Sequence, residues 1–295
     1  MANETTLSTN QMVAAAVDAK IIGPFVSATI MTDIVAPFNP NIPNTTSLKL
    51  PKSGSVTASV VTEGSAATPQ TVTDTAVTLT IKKAVVVTKP TAEALKFATH
   101  TSNERHAALA AIACAQKFDI DALALAAGFS QTADAGTGMT VAKFLEAAYL
   151  VRAGNILSSE ELDAVLSYKQ SFQLAEDIRT STGSFYGNAN FDGARTLDGK
   201  NPKKGYKGKL FNVNWWESGN VHVDVAPTPD NYIGMMVVRG AAIAALYAEG
   251  STPGFNTEIS DDLGFLESVR FIKTTMWYDL AEYNDLAGVG LVSDI

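Results

Sequence analysis

The sequence predicts an α+β fold, and three observations carry that reading. Between residues 45 and 89 threonine, serine and valine dominate, and Val77, Leu79 and Ile81 alternate with Thr78, Thr80 and Lys82 in the two-residue period of a half-buried strand. Residues 91–127 then change to an alanine-rich helical texture centred on 107–115. Beyond them, short strand and helix signals succeed one another without regular βαβ alternation, internal repeat or heptad.

Composition narrows the function classes. A chain of 295 residues with 46% hydrophobic and 18% charged residues has material for a large core. The formal charge of -8 argues against a nucleic-acid reader, since phosphate would be repelled at long range. The lone Cys114 can form neither an intrachain disulfide nor a thiolate cluster, so packing alone must hold the fold. No basic region followed by an apolar run opens the sequence, and no stretch reaches about eighteen apolar residues, so a soluble chain without membrane contact is expected.

Each element has its own justification. Residues 11–19 read as a short helix, and Pro37, Pro40 and Pro43 make 33–44 an extended arm that lies on something else. Val56, Ala58 and Val60 alternate with Thr57 and Ser59, which predicts a long hairpin pairing 56–60 with 77–81 around a polar tip containing Glu63, Gly64 and Pro69. An isolated hairpin is only marginally stable, so the ribbon needs a neighbour in its own chain or in another subunit. Pro90 precedes a helix reaching to about residue 127, apolar enough to act as a central spine.

Gly128, Gly136 and Gly138 punctuate the next loop, and Thr140 caps a helix whose apolar face is Val141, Phe144, Leu145, Ala148 and Tyr149. Leu157, Ser158, Glu161 and Leu162 have the spacing of a capping box with a hydrophobic staple, which predicts a helix over 159–178. Residues 181–209 read as an exposed loop carrying Lys200, Lys203, Lys204, Lys207 and Lys209. Strands are expected at 210–216, 221–226, 265–274 and 288–292, with a strand-to-helix transition over 235–247 near Gly240.

The candidate chemical groups fail to assemble a site. His100 and His106 do not share a helical face or an HExxH spacing. His222 and Asp224 can share a strand face but lack a third ligand. Cys114 sits in apolar helix without a cationic neighbour in sequence. Glu160 and Glu161 belong to the capping signal, and Asp261 and Asp262 to an acidic turn. Gly136-Thr137-Gly138 and Gly205-Tyr206-Lys207-Gly208-Lys209 miss the nucleotide-loop spacings, because Leu210 stands where a magnesium-binding hydroxyl belongs. No catalytic residue, cofactor or metal is therefore expected. Trp215 and Trp216 point to opposite faces of a strand, so one of them is available to an interface.

The order of parts resembles the major capsid proteins of tailed bacteriophages, which have the Hong Kong 97 capsid fold. The likeness runs from about residue 30 to 292 and rests on several segments. The ribbon VTEGSAATPQTVTDTAVTLTIKKAVVVTK at 61–89 looks like the family's extended loop, and 91–127 like its spine helix. ILSSEELDAVL at 156–166 resembles a strand leading to a serine-capped helix, and GKLFNVNWWESGNV at 208–221 resembles the family's strand pattern. GMMVVRGAAIAALYA at 234–248 looks like the strand and helix that return to the first domain.

The resemblance implies both an architecture and a set of partners. The parts would be an amino-terminal arm (1–44), an extended β-hairpin loop (45–89), a peripheral domain with the spine helix (90–139), an axial domain (140–240), and a return to both domains with closing strands (241–295). The subunit would assemble with itself into pentamers and hexamers of an icosahedral shell, enclosing double-stranded DNA without sequence-specific binding. Partners would include a portal protein and, in some relatives, a decoration protein. Roughly 30 residues precede the arm, too few for a built-in scaffold, so a separate scaffolding protein is implied. Glu63, Lys82, Lys83, Lys203, Lys204, Lys207 and Trp216 are the expected intersubunit contacts, with no covalent cross-link assigned. The competing readings are an encapsulin-like compartment, a tail or decoration protein and, remotely, an enzyme with a site near His222.

Overall fold

The computed structural model describes residues 25, 28–38, 46–52, 60–64, 66, 69, 71, 75–88, 102–134, 136, 138–154, 161–180, 191–193, 205–225, 231–247, 254–261 and 270–294. The helix expected over 11–19, together with Lys200, Lys203 and Lys204, lies outside them. The strands in the first half are β1 (Ala36–Phe38), β2 (Ser47–Lys52), β3 (Thr75–Thr80), β4 (Lys82–Thr88), β5 (Thr132–Asp134) and β6 (Leu162–Leu166). Those in the second half are β7 (Phe191–Gly193), β8 (Tyr206–Leu210), β9 (Val213–Glu217), β10 (His222–Asp224), β11 (Asn231–Val238), β12 (Ile243–Tyr247), β13 (Gly254–Asp261), β14 (Arg270–Glu282) and β15 (Gly288–Asp294). The helices are α1 (Ser102–Ala124), α2 (Val141–Gly154) and α3 (Tyr168–Thr180).

Long β14 organises a five-stranded sheet. Along one edge it pairs first with β12 and then with β13, while β4 runs antiparallel along its other edge and β1 adds in parallel to β12. The helix α1 lies across β4 and β14, with Phe118 contacting Tyr247, Tyr278 and Phe25, the last of which also meets Phe255 edge-on. This aromatic cluster joins the entry of the arm, the spine helix and the sheet. A mixed eight-stranded sheet has the order β5-β15-β11-β6-β9-β8-β7, with β10 against β11, and α2 packs on β15 and β11. Strands from both ends of the sequence therefore meet in the five-stranded sheet, whereas the eight-stranded sheet draws only on residues from Thr132 onward.

The structure corrects several expectations. The strand paired with β3 is β2: Leu48 and Leu50 oppose Leu79 and Val77, and Leu50 and Leu79 bury against Ala244 and Leu246 of β12, while 56–59 of the expected partner lie outside the described residues. Leucines reach that second layer, whereas Val60 is exposed outside any strand. Lys82 and Lys83 belong to β4 of the five-stranded sheet, so the returning strand of the ribbon ends at Thr80.

The helix expected over 159–178 begins only at Tyr168. Residues 162–166 form β6, buried along its whole length, and the operative capping box is Ser167 with Gln170. The Gln170 amide N–H donates to Ser167 Oγ, and the Ser167 N–H donates to Gln170 Oε1, both at 3.1 Å. The transition expected over 235–247 is strand to strand, since β12 lies between β1 and β14 and burial of both its faces removes any helical period. A turn at Phe211 and Asn212, with φ of 52° and 64°, divides the strand expected over 210–216 into the β8–β9 hairpin. Lys207 and Lys209 consequently stand on a strand, and β13 is an element without a counterpart among the expected strands.

Other expectations agree with the structure. Thr140 Oγ1 accepts the Lys143 N–H at 3.4 Å at the start of α2, and α1 continues into a 3-10 turn through Gly128. Strand β1, within the segment 33–44 expected to be extended, pairs with β12 of its own chain.

Candidate assembly surfaces

Among the described residues, those with catalytic potential gather in no metal-binding cluster. Cys114 is buried in α1, and desolvation pushes its thiol up to about 11, far from a reactive thiolate. His222 and Asp224 flank Val223 on β10, opposite Ile233 and Asn231. Among the described residues no three His, Cys, Asp or Glu side chains gather in a metal-binding arrangement, and no helix is long and apolar enough to cross a membrane.

Charge is instead used to lock elements together. Asp163 on β6 is fully buried, with Oδ1 accepting from Asn214 Nδ2 at 3.0 Å and Trp216 Nε1 at 2.8 Å. Arg239 grips both oxygens, each at 2.8 Å, and also reaches Glu161 at 2.9 Å. Such a fork matches a carboxylate in both geometry and charge. Trp216 is only 1% exposed and packs edge-on against Tyr206, so it is core and not an intersubunit contact. Trp215 is buried too: both faces of β9 are covered, so alternation along the strand does not leave one of the pair in solvent. Lys207 pairs with Glu217 at 2.9 Å, and Ser171 also bonds Glu217, so this lysine braces the sheet from its partly exposed position.

At the arm, Asp119 of α1 is 2% exposed and accepts the N–H groups of Ile30 at 3.2 Å and Met31 at 3.1 Å. It caps the 3-10 turn Met31–Asp33 from a distant part of the chain. Desolvation raises its carboxyl to about 6, against the two backbone bonds that lower it.

The ribbon presents the opposite situation. Its base is fastened by Leu50 and Leu79, and by Asp279, which accepts the Thr80 N–H at 2.7 Å and lies 2.9 Å from Lys82 Nζ. Its tip carries Val60, Val61 and Glu63 exposed, with Gly64 at φ 85° making the bend. Lys83 on β4 is exposed as well. Exposed apolar side chains also stud the helices: Leu109, Ile112 and Ile120 line α1, and Tyr168 and Phe172 rise one turn apart from α3.

No family model matches the sequence, and no curated protein matches it either. Solved structures do. The chain is similar to the capsid of Ralstonia phage GP4, with TM-score 0.66 and 11% identity over 92% of this chain and 90% of that one. The fold is the Hong Kong 97 capsid fold. The head structure of Helicobacter pylori bacteriophage KHP40 gives TM-score 0.63 at 13% identity, covering 92% of this chain and 90% of that chain. The capsid of the cyanophage P-SCSP1u gives 0.60 at 16%, covering 90% and 88%.

Proposed function

We propose that this protein is the major capsid subunit of a tailed bacteriophage, assembling with copies of itself into rings of five and six that close into an icosahedral shell around double-stranded DNA. The observation that carries the reading is the match to phage capsids along about nine-tenths of both chains. The exposed ribbon tip supports it, because Val60, which is fully exposed, and Val61, which is partly so, gain nothing from solvent. The net charge of -8 suits a wall that faces packaged DNA without gripping it. Assembly takes place in the bacterial host cytoplasm, and a portal protein occupies one vertex.

Negative-stain imaging of the purified protein, with and without a co-expressed scaffolding protein, tests the proposal. The expected outcome is closed shells or five- and six-membered rings. A monodisperse monomer under both conditions would overturn it.

A further inference from the structure

A cleft of about 260 Å³ lies where α1 faces the turn after β9. Its apolar lining comes from Ile30, from Ile112 of α1 and from Tyr168, whose ring lies beside Gly219. Its polar lining includes Gln116 and Asp119 of α1 and Glu217 and Asn220 at the end of β9. No lysine, arginine or histidine lines it, so the cleft carries acid without base.

The two carboxylates differ in how their charge is met. Glu217 has Lys207 Nζ at 2.9 Å and the Ser171 hydroxyl, and so is matched by a full cation. Asp119 is 2% exposed and, among the described residues, has only the N–H groups of Ile30 and Met31, one on each oxygen. A carboxylate oxygen has room for a second donor, so half of its acceptor capacity is unused. Two neutral dipoles do not replace a countercharge, and burial lifts this carboxyl to about 6.

The lining selects among cations. Calcium and magnesium take six or more oxygens, whereas the described residues gather no three His, Cys, Asp or Glu side chains in a metal-binding arrangement. A guanidinium seeks both carboxylate oxygens with a planar fork, and at Asp119 each oxygen already holds a backbone N–H. An ammonium is a compact charge with three donors, and one of them suffices for Asp119. The apolar lining suits an alkyl stem, and the small volume suits a short one.

We infer that this cleft binds a small free alkylamine, with its ammonium group on Asp119 and its alkyl stem along Ile30 and Ile112. The inference concerns the single subunit and stands or falls apart from the shell reading. The amine supplies the countercharge that the chain itself withholds from Asp119, and so ties α1 to the entry of the arm.

Calorimetric titration of the full chain with putrescine tests this at pH 7.5 and fixed ionic strength, with the uncharged diol of the same length as the control. The expected result is saturable binding of one putrescine per chain, with no saturable heat from the diol. Asp119→Asn keeps an acceptor, removes the charge and weakens binding by about tenfold or more. Gln116→Lys changes an exposed position three residues before Asp119 on the same helix face, so the new ammonium fills the cleft from within the chain and abolishes putrescine binding. Magnesium chloride at equal ionic strength does not displace the amine. Equal affinity in the wild type and both variants, saturable binding of the diol, or no saturable binding of putrescine by the wild type overturns the inference. Failure to form rings or shells leaves it standing.

Discussion

Two buried carboxylates mark two regions built on opposite electrostatic principles. In the eight-stranded sheet Asp163 is enclosed by four donors, among them the Arg239 fork, so its charge is matched by a full cation. At the arm junction Asp119 is almost as deeply buried but, among the described residues, receives only the backbone N–H groups of Ile30 and Met31, and its carboxyl rises to about 6. A matched buried charge makes a rigid joint that is costly to break; an unmatched one makes a joint whose strength depends on protonation. The joint at Asp163 thus keeps its charge matched, and the hold of Asp119 on Ile30 and Met31 varies with protonation.

The most severe break is Asp163→Ala. It leaves the partly buried Arg239 without its main partner and strands Asn214 and Trp216, and removal of one member of a buried pair costs about 3–5 kcal/mol. Urea titration is expected to show a midpoint lowered accordingly, or an insoluble product.

The pH response of Asp119 is next in size. Its folded value near 6 stands above the ordinary 3.8, so the junction gains stability as pH falls: the gain is complete below 3.8 and is lost as pH rises through about 6. The difference corresponds to about 3 kcal/mol. Asp119→Asn keeps an acceptor but removes the charge, so this variant should match or exceed the wild type at pH 7.5. Its advantage should shrink toward pH 4, as read from denaturation midpoints at the two pH values. A constant difference would mean that Asp119 does not titrate in this window.

Trp216→Phe sharpens the other half of the comparison, because an aromatic ring remains while the Nε1 donor to Asp163 disappears. A hydrogen bond to a charged group contributes about 1.5–3 kcal/mol, and the loss should be visible as a lower thermal midpoint. The smallest effect belongs to Lys82→Ala. Lys82 is 75% exposed, so its approach to Asp279 contributes about 0–1 kcal/mol, and added salt should erase the difference between variant and wild type.

The elements legible in the sequence were those with one wet face. The alternation of Val77 and Leu79 located β3, Thr140 marked the start of α2, and the alanine-rich run announced α1. Elements covered on both sides were misread. Leu162 to Leu166 and Ile243 to Tyr247 are buried throughout, and such runs have neither a period of two nor one of 3.6. The pattern Ser167-Tyr168-Lys169-Gln170 did contain the true helix start, but the stronger-looking signal at Ser158 and Glu161 masked it. Among the expected contacts, Glu63 and Lys83 do lie exposed, while Trp216 was assigned to a surface because a tryptophan pair on a strand was assumed to have one solvent face.

By itself the sequence determined the α+β class and the existence of a ribbon and a long alanine-rich helix, because these depend on local period, propensity and residue type. Only the tertiary structure decided that β4 leaves the ribbon for the five-stranded sheet, that β12 and β13 share one edge of β14, and that Asp163 has a cation while Asp119 has none among the described residues. Pairings of that kind join residues far apart in the chain, and their energies come from burial and charge matching that no local window contains.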